Sequence, residues 1–505
     1  MIIESELKFA LDPGQTRRLL KSKLLKRSAD GKAVQRRLVS TYFDTRQHVL
    51  RKAGGALRIR ESGEHREQTL KLPAPGPIGM QNNEEWTVPV SGRTPDLGLF
   101  DKAVSRRLGR RGRRANLAPV FTSDFQRTAV ALRRGKTRFE MALDLGELRA
   151  PGPGARTMPL CEVEFELLKG HPLPMLDFIL ALSDEIDLQP AYLTKAQRGY
   201  ALARPALRPK STKAQPVVLS PGMSVGEAFR RIVGEAVRHL QSNQQPTLEG
   251  QPGGIHQSRV AIRRIRAALR AFKKVLPYDK RKAFNGEFRW FQGRLAPARD
   301  WHVFLSETLP QIGGGDGAVP GDLGQLRKLA ARERRRATAE ARELFCSGRY
   351  TRLVLQFQRW LLALESENAA MFEMPLKPFA ASVLDKTRRD FLLDTRPLSR
   401  MSEEDRHSLR KRGKKARYAT EFFSGLWEGP QVERYLDLME EIQDRLGEAN
   451  DAVVARMLMA SLSPRVLDAH GLLLVQSWST ARELACIRAG QPLWRRMQRA
   501  EPFWR

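Results

Sequence analysis

Carboxylates alternate with cations at strand spacing in two places. In a strand, side chains at i and i+2 share a face. "IIESELKF" therefore aligns Glu4, Glu6 and Lys8, and "CEVEFELL" aligns Glu162, Glu164 and Glu166. "LRIR" aligns Arg58 with Arg60, and "TLKL" offers Lys71. Acids clustered beside cations suit a metal–phosphate complex. Carboxylate oxygens hold Mg2+ or Mn2+, and guanidinium and ammonium groups hold the phosphates. Charge alternation is also ordinary on the wet face of a sheet, so spacing alone leaves both readings open.

A second pattern is purely cationic and written twice. "IHQSRVAIRRIRAAL" begins at Ile255 and "RHSLRKRGKKARYAT" at Arg406. A shift of 151 residues sets His256, Arg259, Arg263, Arg264 and Arg266 on His407, Arg410, Lys414, Lys415 and Arg417. The same shift relates "QGRLAPARDWHV" (292–303) to "QDRLGEANDAVV" (443–454) and Phe272 to Phe423. A constant offset across separate blocks predicts an internal structural repeat. On a helix, offsets 0, 3, 7 and 10 fall within an arc of roughly 80°. Each copy thus predicts a histidine and three cations on one face, with Arg264 and Lys415 flanking. Like charges at this spacing cost about 0.2–0.5 kcal/mol per pair. Two matched helices that accept the cost point to a bound multivalent anion, against a merely solvated face. Were the histidines to bind as imidazolium, they would matter more at pH 6 than at pH 8.

These motifs sit in two differently patterned halves. Up to about residue 200, short alternating runs ("TYFDT", "EEWTVPV", "RFEMALDLGEL") predict strands, separated by breakers such as "PAPGPIG" and "APGPG". From Phe229 the apolar spacing is helical, with a glycine-rich breaker over 310–324. We expect domains at 1–203 and 223–505, joined by the Pro- and Lys-rich linker 204–222. The 505 residues carry 88 Lys+Arg against 56 Asp+Glu, a formal charge of +32. Such a surplus predicts a polyanionic partner: nucleic acid, anionic membrane or polyphosphate. Mean hydropathy is −0.45, and no apolar run reaches the roughly 18 residues of a membrane span. The acidic N-terminus is unlike a signal peptide, and Cys161, Cys346 and Cys486 match no metal spacing. A cytoplasmic setting is expected.

The first half resembles the CYTH domain of triphosphate tunnel metalloenzymes, which implies a closed eight-stranded antiparallel barrel with a charged lumen. By resemblance, Glu4 and Glu6 would be metal ligands, completed by Asp144, Glu162 and Glu164. Lys8, Arg58, Arg60, Lys71, Arg127 and Lys195 would grip a triphosphate, with Arg198 nearby. Glu85, next to Glu84, would be the mid-barrel acid, and Tyr42 would pair with Lys71; Lys71, Tyr42 and Glu85 are the candidate catalytic residues. The second half resembles the CHAD domain, named for its conserved histidines. That resemblance implies two pseudo-symmetric four-helix bundles and a basic cleft binding inorganic polyphosphate through His256, Arg259, Arg263, Arg264, Arg266, His407, Arg410, Lys414, Lys415, Arg417 and Tyr418, with polyphosphate granules as a possible location. The fold class expected is therefore α+β and multidomain.

Together these imply metal-dependent hydrolysis of inorganic triphosphate beside a polyphosphate-binding module. The alternatives are a catalytically idle polyphosphate-binding protein and a class IV-type adenylate cyclase. No P-loop, GxSxG or zinc spacing competes. A nucleic-acid binder ranks last, because the basic stripes lack interleaved aromatics for base stacking. "SRRLGRRGRRANL" (105–117) reads as a solvated face or an auxiliary anion patch, and the aromatic–basic tail (492–505) as docking on its own bundle.

Overall fold

Alternation with a period of two sorts the residues of the first half into a charged set and an apolar set, and one closed sheet keeps them on opposite faces. The structure, a computed structural model, describes residues 2–101, 104, 116–152, 156–312, 323–367, 372–462 and 469–505. The arginine cluster at 105–115, residues 153–155 of "APGPG" and residues 313–322 of the glycine-rich breaker lie outside the described residues.

The barrel strands are β1 (Ile2–Ala10), β2 (Val34–Thr45), β3 (Ala56–Ser62), β4 (His65–Pro73), β5 (Gln81–Pro89), β6 (Leu117–Arg134), β7 (Thr137–Ala150) and β8 (Arg156–Lys169). Their order is β5-β4-β3-β2-β6-β7-β8-β1, and β1 pairs back onto β5 from Ile2↔Glu85 to Glu6↔Gln81. All eight pairings are antiparallel, so the ring closes without a free edge. The apolar faces point outward. Leu7, Phe9, Met141, Leu143, Val163 and Phe165 form one core with Phe178, Ile179 and Leu182 of α1 (Leu173–Leu182). Leu57, Ile59, Leu70, Leu72 and Trp86 form a second. The lumen is left to the polar set. Helix α2 (Lys195–Ala203) starts at a capping box between Thr194 and Gln197. It is tied down by Tyr200, whose hydroxyl donates to Asp44 at 2.7 Å.

The second half is helical and realises the 151-residue repeat. One copy holds α3 (Val225–Leu248), α4 (Pro252–Ala271), α5 (Tyr278–Arg294), α6 (Ala296–Val303) and α7 (Gly324–Cys346). After α8 (Gly348–Glu367), the other holds α9 (Leu376–Phe391), α10 (Glu403–Phe423), α11 (Pro430–Ser461) and α12 (Ala469–Arg499). Val225 and Leu376 open equivalent helices, as do Pro252 and Glu403. Where α11 is continuous, the first copy is broken between α5 and α6. Pro297, near the start of α6, has no N–H to carry the helix on; its counterpart is Glu448.

Equivalent atoms also meet across the repeat. The Val225 N–H donates to the Met374 carbonyl at 2.9 Å, and the Leu376 N–H donates to the Met223 carbonyl at 3.3 Å. These two bonds are images of each other under the 151-residue shift. Phe272 and its counterpart Phe423 are fully buried with ring centroids 5.8 Å apart. Both contacts lie where a pseudo-two-fold axis must pass.

The chain forms two compact units, Met1–Lys210 with Phe345–Leu364, and Ser211–Leu344 with Glu365–Arg505. The expected boundaries at 203 and 223 differ from this division chiefly over residues 345–364. Leu355 and Leu362 of α8 complete the apolar core around Phe165 and Phe178, and Thr351 donates to the Leu188 carbonyl at 2.6 Å. The tail docks within its own unit: the Trp494 indole donates to the Arg396 carbonyl at 3.1 Å, and the Trp504 indole to Asp385 at 3.0 Å.

Phe272→Ala should remove about 3–5 kcal/mol from the helical unit, the usual cost of a large buried aromatic. The check is a lowered unfolding transition of that unit by calorimetry.

Candidate functional site

Strand register assembles the first site. Asp144 on β7 pairs with Glu162 on β8 and with Arg127 on β6, and Glu164 pairs with Lys8 on β1. Carboxylate oxygens of Asp144, Glu162 and Glu164 lie within 4.8 Å of one another. Such hard oxygen donors fit Mg2+ or Mn2+. The Lys195 ammonium, at the start of α2, reaches Asp144 at 2.7 Å and Glu164 at 2.8 Å and also contacts Glu162. Arg127 forks onto Asp144 with two bonds of 2.7 Å and meets Glu164 at 2.5 Å. Lys8 is 3.0 Å from Glu164 and 3.4 Å from Glu6. Arg198 pairs with Glu162.

The β1 acids have their own partners. Lys71 bridges Glu4 at 2.5 Å and Glu85 at 2.8 Å. Glu85 thus takes the lumen position, and its neighbour Glu84 falls on the opposite face of the strand. Burial alone would raise the Glu164 carboxyl, but Lys195, Lys8 and Arg127 hold it well below the usual range. Burial likewise opposes charge on Lys195, yet Asp144, Glu162 and Glu164 raise its affinity for its proton.

Two cations stand apart. Among the described residues, Arg58 and Arg60 have no carboxylate at ion-pair distance. Arg60 donates to Ser40 at 3.3 Å, and burial with Arg58 and Arg127 pushes it down to about 10. Arg58 is hydrogen-bonded to Tyr42. This departs from the expected Tyr42–Lys71 pair: Tyr42 stacks on Phe121 at 4.3 Å on β2's side of the lumen, whereas Lys71 is held by Glu4 and Glu85. Burial would raise the Tyr42 hydroxyl, but Arg58, Arg60 and Lys195 bring it below its ordinary value. Arg60 and Arg127 open onto a cavity of about 660 Å3 whose lining also includes Lys32, Arg36 and His65. The lumen therefore has an acidic side, on β1, β7 and β8, and a cationic side on β3 whose arginines feel Glu85, Glu4 and Glu67 without a direct ion pair among the described residues.

The second site lies within the helical unit. His256, Arg259, Arg263 and Arg266 of α4 and His407, Arg410, Lys414, Lys415 and Tyr418 of α10 line one cavity of about 1160 Å3. Arg263 donates to the Tyr418 hydroxyl at 3.0 Å. Each histidine helix also has an orienting group beside it, though the two are not counterparts under the repeat. Arg259 meets Asp300 at 3.3 Å, and Arg410 donates to Asn450 at 3.1 Å, which lies 3.2 Å from His407. Burial, then Arg410 and Arg263, push the Lys414 ammonium down to about 7. Burial, then Arg299, Arg263 and Arg259, push His256 down to about 4. Burial and these arginines thus favour the neutral imidazole of His256.

Two expected residues stand outside this cavity. Arg264 is buried against Phe422 and pairs with Glu421 at 3.1 Å. Arg417 pairs with Glu421 at 2.7 Å and Glu440 at 2.9 Å. Glu421 lies one turn on from Arg417 along the same helix, whereas its pairing with Arg264 and the Glu440 contact come from between helices. Conversely, Arg270, Arg289 and Arg299 line the cavity and were missed. The repeat could not mark them, because the shift of 151 residues sets them on Glu421, Glu440 and Asn450.

Comparison with known proteins agrees with this division. Residues 3–200 match the CYTH domain model and residues 231–460 the CHAD domain model. An inorganic triphosphatase from Haemophilus influenzae is 32% identical over 174 residues, which is 33% of this chain and 46% of that protein. The match thus spans about half of the relative's length. The CHAD domain from the plant Ricinus communis is 29% identical, covering 58% of this chain and 98% of that one at a TM-score of 0.47. A protein from Hippeastrum, described as a proposed adenylyl cyclase with a dominant triphosphatase activity, is 18% identical, covering 40% and 96% at 0.29. The chain carries a CYTH domain followed by a CHAD domain. No helix among the described residues is long and apolar enough to cross a membrane.

The depressed Lys414 ammonium has a consequence for stability. Below its folded value near 7 the native state must carry this charge among arginines; between there and its ordinary 10.5 the unfolded chain binds more protons, so stability rises with pH. Lys414→Met should therefore raise the melting temperature more at pH 6 than at pH 10. Equal shifts at both pH values would contradict the assignment.

Proposed function

We propose that the barrel hydrolyses inorganic triphosphate with the help of Mg2+ or Mn2+, and that the helical cleft binds inorganic polyphosphate. The observation that carries the first part is the division of one lumen into a carboxylate trio and a pair of arginines without a direct ion pair among the described residues. A linear phosphate needs both: hard oxygen ligands for its metal and fixed cations for its own oxygens.

Asp144, Glu162 and Glu164 would hold a divalent ion, with Glu4 and Glu6 on the same lumen face of β1 completing its surroundings. When bound, the ion neutralises phosphate oxygens and anchors the chain. Arg58 and Arg60 receive the phosphates that the acids repel. Lys8, Lys71, Arg127 and Lys195 are each held by carboxylates in the lumen. They would exchange those partners for phosphate oxygens without moving along the chain. Glu85, fixed by Lys71, is the candidate to orient the attacking water. Water adds to the terminal phosphorus, the bridging P–O bond breaks, and diphosphate leaves. Positioning and charge stabilisation supply most of the rate in such chemistry.

For the cleft, the supporting feature is two histidine–cation helices facing one cavity. A flexible polyanion can engage both copies at high effective concentration. The cleft's cations lack the carboxylate trio, so binding without cleavage is expected there.

The test is phosphate release from triphosphate, ATP and long polyphosphate with Mg2+ or Mn2+. Triphosphate should be turned over, and a chelator should stop it. Glu164→Gln and the double variant Glu4→Ala, Glu6→Ala should each lower kcat/KM by at least about 10²-fold with the barrel folded, the scale of losing one transition-state charge contact. Undiminished turnover in the folded variants would sink the metal assignment, and cyclic AMP as the product from ATP would favour the cyclase reading. For the cleft, polyphosphate binding by the chelated full chain should weaken steeply with salt and exceed binding of single-stranded RNA of matched charge. Equal affinity for the two would reduce the cleft to a generic basic surface.

A further inference from the structure

The two copies of the repeat do not end the cleft in the same way. In the second copy, Arg417 of α10 is closed off by Glu421 at 2.7 Å and by Glu440 of α11 at 2.9 Å. The shift of 151 residues relates these three to Arg266, Arg270 and Arg289 in the first copy. Both carboxylates of the second copy are thus arginines in the first. One copy presents three guanidinium groups where the other presents one guanidinium and two carboxylates.

The environment of the arginine trio is open and uncompensated. Arg266 donates to Asn285 at 3.2 Å and Gln292 at 2.8 Å, both neutral. Among the described residues, none of Arg266, Arg270 and Arg289 has a carboxylate at ion-pair distance, whereas Arg417 has two. Arg266, Arg270 and Arg289 all line the cavity, and none of Arg417, Glu421 and Glu440 does. Burial and Arg266 push Arg270 down to about 10, as expected for a guanidinium short of counter-charge. Three like charges on adjoining helices cost stability in the empty protein. The second copy removes that cost with two glutamates at the same positions, so the backbone tolerates either choice.

We propose that Arg266, Arg270 and Arg289 form an additional anion subsite present in the first copy alone, which carries a linear polyphosphate out of the shared central stripe on that side. This rests on the reading of the cleft as a polyphosphate site and adds its asymmetry. A chain centred on Arg263 and Lys414 continues over the first copy. On the other side, the Arg417–Glu421–Glu440 group leaves it no free cation and repels it. Longer chains gain contacts on one side only, and affinity grows with length until the subsite is filled.

The second copy supplies the test substitutions. Arg270→Glu with Arg289→Glu writes the second copy's residues into the first. The full chain, held in chelator so that nothing is hydrolysed, is titrated with sodium polyphosphates of graded length over a salt series around about 0.15 M, where charges beyond about 8 Å are screened. Long-chain affinity should fall at least about tenfold. The slope of log K against log salt should flatten by about 1.4, two contacts at about 0.7 each. The loss should grow with chain length. Arg289→Glu alone, at an exposed position, should give about half the change in slope and serves if the double variant does not fold. An unchanged slope, or an equal loss at every length, would overturn the subsite. Failure of the unaltered chain to bind polyphosphate would instead remove the reading beneath it. Binding that survives Arg263→Glu with Lys414→Glu but not Arg270→Glu with Arg289→Glu would assign the whole affinity to the trio.

Discussion

Charge kept out of water sets the terms for the barrel. Lys195 is 6% exposed, and Asp144 and Glu162 are fully buried around it. None of these groups could remain ionised there alone, because an unpaired buried charge costs several kcal/mol. Their mutual neutralisation permits a charged lumen at all. The rest of the unit follows. Strands with charges on one face must turn the other face outward, so the apolar core lies around the ring and α1 and α8 cover it. Closing β1 onto β5 removes the edge and brings Glu4 within reach of Lys71. The α2 capping box fixes the helix start and with it the Lys195 ammonium. Under the proposed function the same network would be a store of replaceable partners, each cation able to trade a carboxylate for a phosphate oxygen.

The helical unit answers the same electrostatic problem differently. Its cavity gathers Arg259, Arg263, Arg410 and Lys414, and its lining also holds the acids Asp300, Asp451, Glu403, Glu404 and Glu483. The unmet charge appears as an ammonium brought down to about 7 and a histidine brought down to about 4. Such a site is held open by the scaffold, through the paired backbone bonds at Val225 and Leu376 and the Phe272–Phe423 contact. Duplication supplies two cationic helices from one design, and drift then differentiates them. Pro297 breaks one copy's long helix, and Arg270 and Arg289 replace the other copy's glutamates.

Much of this was legible in the residues, for a reason that differs between the halves. In the barrel, a period of two puts Glu4, Glu6 and Lys8 on one face of their strand and Glu162 and Glu164 on one face of theirs. The barrel closure and the acidic trio's membership came from resemblance, since spacing within a strand says nothing of which strands adjoin. Tyr42 shows the limit: its partner depends on the β2–β3 register, Tyr42↔Arg58, which no local pattern encodes. In the helices, the 151-residue offset revealed the repeat and its cationic face. It could not say that Arg264 and Arg417 meet Glu421, because those partners come from the next turn and the neighbouring helix. The assignment of residues 345–364 to the barrel unit was equally hidden, since an amphipathic helix does not name the surface it covers.

The contrast between the two sites separates binding from catalysis on physical grounds. Both present cations to a linear anion, and cations alone stabilise the bound chain and the reacting chain to nearly the same degree. Uniform binding of that kind lowers the free energy of the complex without lowering the barrier. The barrel adds carboxylates on the opposite wall, close enough together to hold one ion, and Glu85 fixed at 2.8 Å from Lys71. In the proposed hydrolysis these groups would act on charge that develops only when a bridging bond breaks and water arrives. The cleft has nothing equivalent: its acids, Asp300 and Asp451, lie beside Arg259 and Arg410 and serve to hold them. Its contribution is affinity, which grows with every further cation along the chain's path. An arginine trio outside the symmetric centre is therefore consistent with a binding site, where added contacts always help, and would be out of place in a lumen whose chemistry depends on one bond being singled out.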